Sequence, residues 1–258
     1  MTETRRPRTK TVIIGGSGQI GRKLAALLEQ AGHSVVAASP SSGVDSFTGA
    51  GLAQALQGAD TVVDVSNSHS FDTEAVLHFF QTSTRNLLAA ETEAGVRHHV
   101  ALTVVGAERA PTSGYLRAKV AQESLIAAGP VPYTIVRATQ FFEFLMPIAN
   151  AATQGQSVRV SSAPLQPIAG ADVAAALAEV VGQAPLNGIC EVAGPQAMPL
   201  DELIGRVLRA RKDPRHVITD AEAPYFGARL DERTLIPGRE ARIGKTTLEQ
   251  WLATEAAR

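Results

Sequence analysis

Residues 11–21 read TVIIGGSGQIG. A short β-branched run stops at glycines, and the glycines at 16, 18 and 21 have the spacing GxGxxG. Directly after them, Ile20, Leu24, Leu27 and Leu28 fall on one helical face within residues 19–31, before Gly32 ends the segment. A strand that turns through glycines into a helix is the setting in which this spacing holds a dinucleotide. The reason is steric and electrostatic. A residue without Cβ permits the tight turn and a close backbone approach to pyrophosphate, and the third glycine lets helix and strand pack closely. The helix N-terminus adds unpaired N–H groups and a positive dipole end. Gly15, Gly16, Ser17, Gly18, Gln19, Ile20 and Gly21 are therefore the expected pyrophosphate contacts, against the alternative of a glycine-rich turn with no ligand. No Gly-Lys-Ser/Thr follows, so this is not a P-loop.

Outward from this turn, apolar runs and helical periods alternate. Residues 34–39 (SVVAAS) form a second run broken by Pro40, residues 52–56 a short helix, and residues 61–65 (TVVDV) a strand. A long helix over 72–94 ends at Gly95, a strand follows over 99–105, a helix over 115–128 closes at Gly129, and YTIV (133–136) is the next strand. This alternation predicts βαβ units and a parallel sheet covered on both faces, whose strands read as continuous apolar runs. Beyond about residue 150 the pattern loosens into a strand at 157–160, a helix at 172–181, a strand near 189–192 and a helix at 200–211. The expected architecture is a Rossmann-type doubly wound sheet with a small C-terminal α/β lobe. Residues 1–10 are expected to be a loose tail. Residues 11–258 are expected to form one NAD(P)-binding domain, with its core over about 11–150 and a substrate-cleft lobe over about 151–258.

Composition narrows the function. The 258 residues include 24 basic and 25 acidic side chains, for a net charge of −1. That balance weighs against nucleic-acid or membrane-surface attraction. One cysteine, Cys190, excludes an internal disulfide framework and a multi-cysteine zinc site, and no metal is expected. No apolar run approaches the roughly 20 residues of a membrane span. The charged start MTETRRPRTK lacks an apolar secretory core. A cytoplasmic protein acting on a small-molecule substrate, as monomer or homodimer, is the expectation.

The end of the second strand discriminates between cofactors, since an acid there binds a ribose 2′-OH and repels a 2′-phosphate. Ser39, Pro40, Ser41 and Ser42 offer neither acid nor base, but their hydroxyls and N–H groups suit a 2′-phosphate, with Arg22 or the N-terminal arginines nearby. NADP(H) is favoured over NAD(H). Further on, Tyr115 and Lys119 form a YxxxK pair at the start of a helix. Residues four apart share a helix face, and a cation beside a phenol lowers its pKa toward working pH, as a proton donor requires. Thr103, at the preceding strand's end, is the candidate third member or a satisfied strand threonine; Ser113 is a weaker candidate.

GGSGQIG, GADTVVDVSN, HHVALTVVGAE, SGYLRAKVAQE, PYTIVRATQFFE, PIAGADVA and EVAGPQAMPLDEL together resemble an atypical short-chain dehydrogenase/reductase, nearest the NmrA-like NAD(P)H-binding branch. The resemblance spans about residues 11–203. It implies a nicotinamide dinucleotide over the strand ends and a smaller lobe closing the cleft. It also implies roles for Ser66 and Asn67 near the adenine-side ribose, and for Thr139, Gln140 and Phe141 at the nicotinamide end. The expected activity is hydride transfer to or from a small carbonyl or quinone-like substrate. Tyr115 would donate the proton, Lys119 would tune it and contact the ribose, and Thr103 would orient the substrate. Some members of the branch bind the cofactor and report redox state without turnover, which is the alternative; transient cofactor use by an epimerase or dehydratase is a third reading.

Other residues are expected to carry no chemistry. His98 and His99 are not expected to share a metal, because neighbours on a strand face opposite ways, and are read as solvated. Cys190 is read as a small buried hydrophobe, and Phe79-Phe80 as core. Phe141, Phe142 and Phe144 are core or cleft wall. Arg206, Arg209, Arg211, Lys212 and Arg215 are a solvated basic face near a helix C-terminus.

Overall fold

The apolar runs become parallel strands and the periodic segments become helices that cover them. In the computed structural model, which describes residues 9–70 and 72–256, the first half comprises β1 (Lys10–Ile14), α1 (Gln19–Gln30), β2 (Ser34–Ala38), α2 (Leu52–Leu56) and β3 (Thr61–Asp64). It continues with α3 (Thr73–Ala94), β4 (His98–Val104), α4 (Gly114–Ala128) and β5 (Tyr133–Ala138). The long helix begins where Asp72 accepts the N–H groups of Glu74 and Ala75 at 3.1 and 3.0 Å, and stops at Gly95 with φ 69°. Residues 1–8, most of the expected tail and its arginines, lie outside the described residues; Lys10 already pairs with Ser34 in the sheet.

The second half comprises α5 (Leu145–Ala151), β6 (Thr153–Gln154), β7 (Ser157–Val160), β8 (Pro164–Leu165), α6 (Gly170–Val181), β9 (Gly188–Ala193), β10 (Met198–Pro199), α7 (Leu200–Ala210), β11 (His216–Thr219), β12 (Arg242–Ile243) and α8 (Leu248–Ala256). The main sheet has seven strands in the order β12-β9-β5-β4-β3-β1-β2, every pair parallel. The boundary expected near residue 150 does not divide this sheet. β9 pairs along β5, with Val136 opposite Cys190, and Val173 and Leu177 of α6 pack with Leu24 and Leu28 of α1. The chain leaves the sheet and returns to its edge, and a half-exposed strand such as β9 carries a weak sequence signal of that return.

Two different layers face this sheet. On one side α1 and α6 bury Ile13, Val63, Val100 and Val136 in a wholly apolar cluster. On the other side lie α2, α3 and α4. A separate cluster joins α5, α7, β7 and α8 through Leu145, Leu203, Ile204, Val207, Val158 and Trp251, and forms the lobe.

Candidate functional site

β1 lies between β2 and β3, so the chain first crosses to one side of β1 and then to the other. A crevice opens outside the carboxyl ends of strands at such a reversal. Here it is a cavity of about 890 Å³ running from the glycine-rich turn past Tyr115 and Lys119 to Phe144, Ile148 and Tyr225.

The glycines divide by role. Gly15 has φ 82°, and a Cβ there would lie 2.9 Å from the backbone of Val65 and Ser66. Added to Gly16, a Cβ would come 2.6 Å from Cα of Ala37; added to Gly21, 2.3 Å from the carbonyl oxygen of Gly15. These three bind the turn to β2, β3 and α1. Gly18 has only the Gly15 oxygen near, at 3.1 Å, and is exposed at the uncapped N-terminus of α1. Gly16 and Gly21 therefore shape the turn from behind, while Gly15, Ser17, Gly18, Gln19 and Ile20 line the cavity. The Arg22 guanidinium bonds the Ser17 carbonyl, which places a cation at the same turn.

Past β2, Ser39 lines the cavity but Ser41 and Ser42 do not. Their hydroxyls are used locally: Ser39 and Ser41 share a 2.9 Å bond, and Ser42 bonds the Ser39 N–H and carbonyl at 3.0 and 2.9 Å. Asp45 and Phe47 also line this end, and both escaped the sequence reading. Asp45 lies beyond a tight turn, so its distance from the strand end hid it; one of its oxygens accepts the Phe47 N–H at 2.8 Å.

Ser66, Asn67, Thr139, Gln140 and Phe141 all line the cavity. Ser66 Oγ, Thr139 Oγ1 and Gln140 Oε1 are buried without a hydrogen-bond partner. An unmet buried polar group costs about 1–3 kcal/mol. A polar ligand would meet that need, so these residues and the bare turn fit a dinucleotide.

Tyr115, Lys119, Thr103 and Ser113 come together at the centre. Their electrostatics differ from the expectation. Burial pushes the Tyr115 phenol up to about 12, with an opposing hydrogen bond from Asn67. The Lys119 ammonium points instead to Gln122 Oε1 at 2.6 Å and the Phe80 ring, 4.1 Å from its centroid. Burial pulls its pKa down to about 8, against the charges of Asp64 and Glu123. Gln122 passes the contact on, donating to Asp64 Oδ2 at 2.9 Å, while Asp64 Oδ1 accepts the Ser66 N–H at 2.9 Å. Thr103 donates to Glu123 at 2.6 Å, and Glu123 is clamped by Arg137 at 2.9 and 2.6 Å. The Thr103 proton is thus directed away from the cavity, the satisfied-threonine arrangement. Ser113 accepts the Leu116 N–H as the cap of α4, at 3.5 Å.

His98 and His99 do face opposite ways, but both are buried rather than solvated. The Thr134 hydroxyl accepts the Leu186 N–H at 3.0 Å, so its proton is free to go to His98 Nε2 at 2.9 Å. Burial takes His98 down to about 4. His99 Nδ1 meets Glu91 at 2.8 and 3.0 Å, with both side chains fully enclosed. Burial raises Glu91; it would lower His99, but the charge and hydrogen bond of Glu91 outweigh it, so the pair retains its proton. Phe80 is core and Phe79 cavity wall; Phe142 is core, whereas Phe141 and Phe144 are wall. Cys190 is half-buried. Arg206 pairs with Glu202 and Glu249, and Arg215 with Asp213, in keeping with a solvated basic face.

A parallel sheet reversing beside a bare glycine turn, with orphaned hydroxyls around one long cavity, is an arrangement that fits a dinucleotide. The sequence matches the NAD(P)H-binding family over residues 43–184, more than half its length, and the chain belongs to that family. This agrees with the resemblance to atypical short-chain dehydrogenase/reductases. No curated protein matches the sequence. Among solved structures, the chain is similar to MoeE5 in complex with UDP-glucuronic acid and NAD, at 17% identity and TM-score 0.77 over 96% of this chain and 100% of that one. It is similar to TunA, an NAD-dependent NDP-hexosamine 5,6-dehydratase, at 18% and 0.70 over 97% and 98%. It is also similar to the NADPH-dependent quinone oxidoreductase QOR2 from Escherichia coli, at 20% and 0.65 over 95% and 99%. At such identities the likeness is one of fold. Among the described residues no helix is long and apolar enough to cross a membrane.

Proposed function

We propose that the protein is an NAD(P)H-dependent oxidoreductase acting on a small carbonyl or quinone-like substrate, within one domain whose C-terminal lobe walls the substrate end. The observation that carries the reading is the continuity of the cavity, from the uncapped N-terminus of α1 to the Tyr115 phenol. When bound, the cofactor supplies or accepts the hydride. Gly15, Ser17, Gly18, Gln19 and Ile20 would hold its phosphates, and Ser66, Asn67, Thr139, Gln140 and Phe141 would line the rest of its path. A phenol pushed up to about 12 stays protonated at neutral pH, so Tyr115 would keep a proton at Oη for a developing oxyanion. Lys119 would hold positive charge beneath it. NADP(H) is preferred to NAD(H) because β2 ends in Ala38-Ser39-Pro40 with no acid; Asp45 is the feature that opposes this preference.

A second reading has its own support: a cofactor-sensing protein without turnover. The Tyr115 hydroxyl is tied to Asn67, Lys119 to Gln122 and Thr103 to Glu123, and none of these bonds serves a substrate. Titration with NADPH and NADH, followed by nicotinamide fluorescence, tests binding; absorbance loss with a panel of quinones and aldehydes tests turnover. The oxidoreductase reading expects tighter NADPH binding and turnover that Tyr115→Phe reduces by about 10²-fold or more. Binding without oxidation, indifferent to Tyr115→Phe, selects the sensor. Failure to bind either nucleotide removes both.

A further inference from the structure

The far end of the main cavity differs in chemistry from the end at the glycine turn. Beyond Tyr115 its walls are Phe141, Phe144, Pro147, Ile148, Tyr225 and Phe226, with no charged side chain among them. Behind this wall lies a second pocket of about 260 Å³, which shares Ile148, Ala151, Tyr225 and Phe226 with the main cavity. Its remaining lining includes Ala152, Val160, Leu200 and Ala223, and its only side-chain polar groups are the hydroxyls of Ser161 and Tyr225. The partition is a tight turn in which Tyr225 and Ala228 exchange both backbone hydrogen bonds, at 2.7 and 3.0 Å. Phe226 holds φ 45° there, the left-handed region a bulky side chain rarely takes, beside Gly227 at φ 85°. Such strain persists where the surroundings fix it, and it clusters at ligand clamps. The two-residue hairpin turn itself demands positive φ at both central positions, so the strain is that of a bulky Phe placed where Asn or Gly is usual.

We propose that this second pocket is a substrate subsite for an apolar arm, an alkyl or aryl substituent on a flat, uncharged carbonyl compound, with the Tyr225–Phe226 turn as the clamp between ring and arm. The proposal rests on the oxidoreductase reading for the position of the reacting carbonyl beside Tyr115. It also sets this chain apart from those fold neighbours whose ligands are nucleotide sugars. A diphosphate at the substrate end would need arginine, lysine or N–H donors to replace its water, and among the described residues the walls beyond Tyr115 offer no cation.

The test reads binding, so it does not depend on turnover. Calorimetry with 1,4-benzoquinones bearing a methyl, butyl or hexyl group at one carbon is run on the protein alone and with NADP⁺, which has no hydride to give. UDP-glucose is run alongside. The expected result is affinity rising at least about tenfold from methyl to hexyl as methylenes leave water, with no binding of UDP-glucose. Ala223→Leu and, separately, Ala152→Leu fill the second pocket without touching the main cavity. Each is expected to abolish the hexyl advantage while methyl-quinone affinity and nicotinamide fluorescence stay unchanged. Equal affinity across the series, a hexyl advantage that survives in both variants, or binding of UDP-glucose overturns the proposal. Length-dependent binding without NADPH oxidation leaves the subsite standing and removes only the oxidoreductase reading.

Discussion

Both faces of the seven-stranded sheet bury apolar side chains, but only the one toward α3 and α4 sets charges among them. Toward α1 and α6, Val63, Val100 and Val136 meet Leu24, Leu28, Val173 and Leu177 with no charge between them. Toward α3 and α4 the same three strands carry Asp64, His99, Thr103 and Arg137, met by Glu91, Lys119, Gln122 and Glu123. Adjacent strand residues point to opposite faces, so a single strand such as β4 serves both layers in alternate positions. The apolar layer holds the sheet by area removed from water. The charged layer adds little net stability, because desolvation offsets Coulomb attraction. What it supplies is a fixed set of charges under the cavity, ending at Lys119.

The contrast can be broken first at its most enclosed ion pair. Glu91→Leu strands His99 and is expected to lose about 3–5 kcal/mol in denaturant unfolding, whereas Glu91→Leu with His99→Leu regains most of it. A double variant no better than the single would mean that the pair stabilises outright. On the apolar face, Leu177→Ala is expected to lose about 2–5 kcal/mol through the cavity it leaves, with no dependence on pH. His98, paired with Thr134 on that face, supplies an acid-side test. Its folded pKa of about 4 lies below the ordinary histidine value, so the unfolded chain binds more protons between about 6.5 and 4. Stability therefore falls as pH drops through that window, by on the order of 2 kcal/mol. His98→Asn should flatten this part of the stability–pH curve, and an unchanged slope would count against the assignment. The smallest effect sharpens the charged layer. Asp64→Asn removes the charge that most raises Lys119, so the lysine pKa should fall below its present value of about 8. Its NMR titration checks this, and an unmoved value would show Asp64 to be irrelevant to it.

Much of the first half was legible because strand, glycine stop and helix period coincide in residues 11–38, and Asp72 and Gly95 mark the ends of α3 in plain chemistry. The return of β9 to the sheet was not, since its register is chosen by the exposed edge of β5 rather than by GICEVA itself. The burial of the histidines is not local information, because exposure depends on what packs above a strand, and the partners are Glu91 and Thr134 on other elements. Of the candidate site, the turn and the Tyr115–Lys119 pair could be read from spacing. The direction of the Lys119 ammonium depends on Asp64 and Gln122, whose side chains meet across 58 positions of sequence. Tyr225 and Phe226 come from a loop without periodicity, and nothing local marks them as cavity wall.

The placement of β9 bears on how the chain is made. β5 is a central strand in the finished sheet, yet the partner on its outer edge is residues 188–193, half a hundred positions further on. Until that segment leaves the ribosome, the nascent sheet ends in an open row of N–H and C=O groups, a template for pairing with another copy. Gly106 meets the same delay. Its missing Cβ makes room for the carbonyl of Thr234, where a methyl would lie 1.8 Å from the oxygen, and Arg109 then fastens to Thr234 and Ile236. The open edge of β5 and the space beside Gly106 are thus closed by segments that follow them by 50 residues or more, so the interval of aggregation risk begins after the glycine turn has already formed.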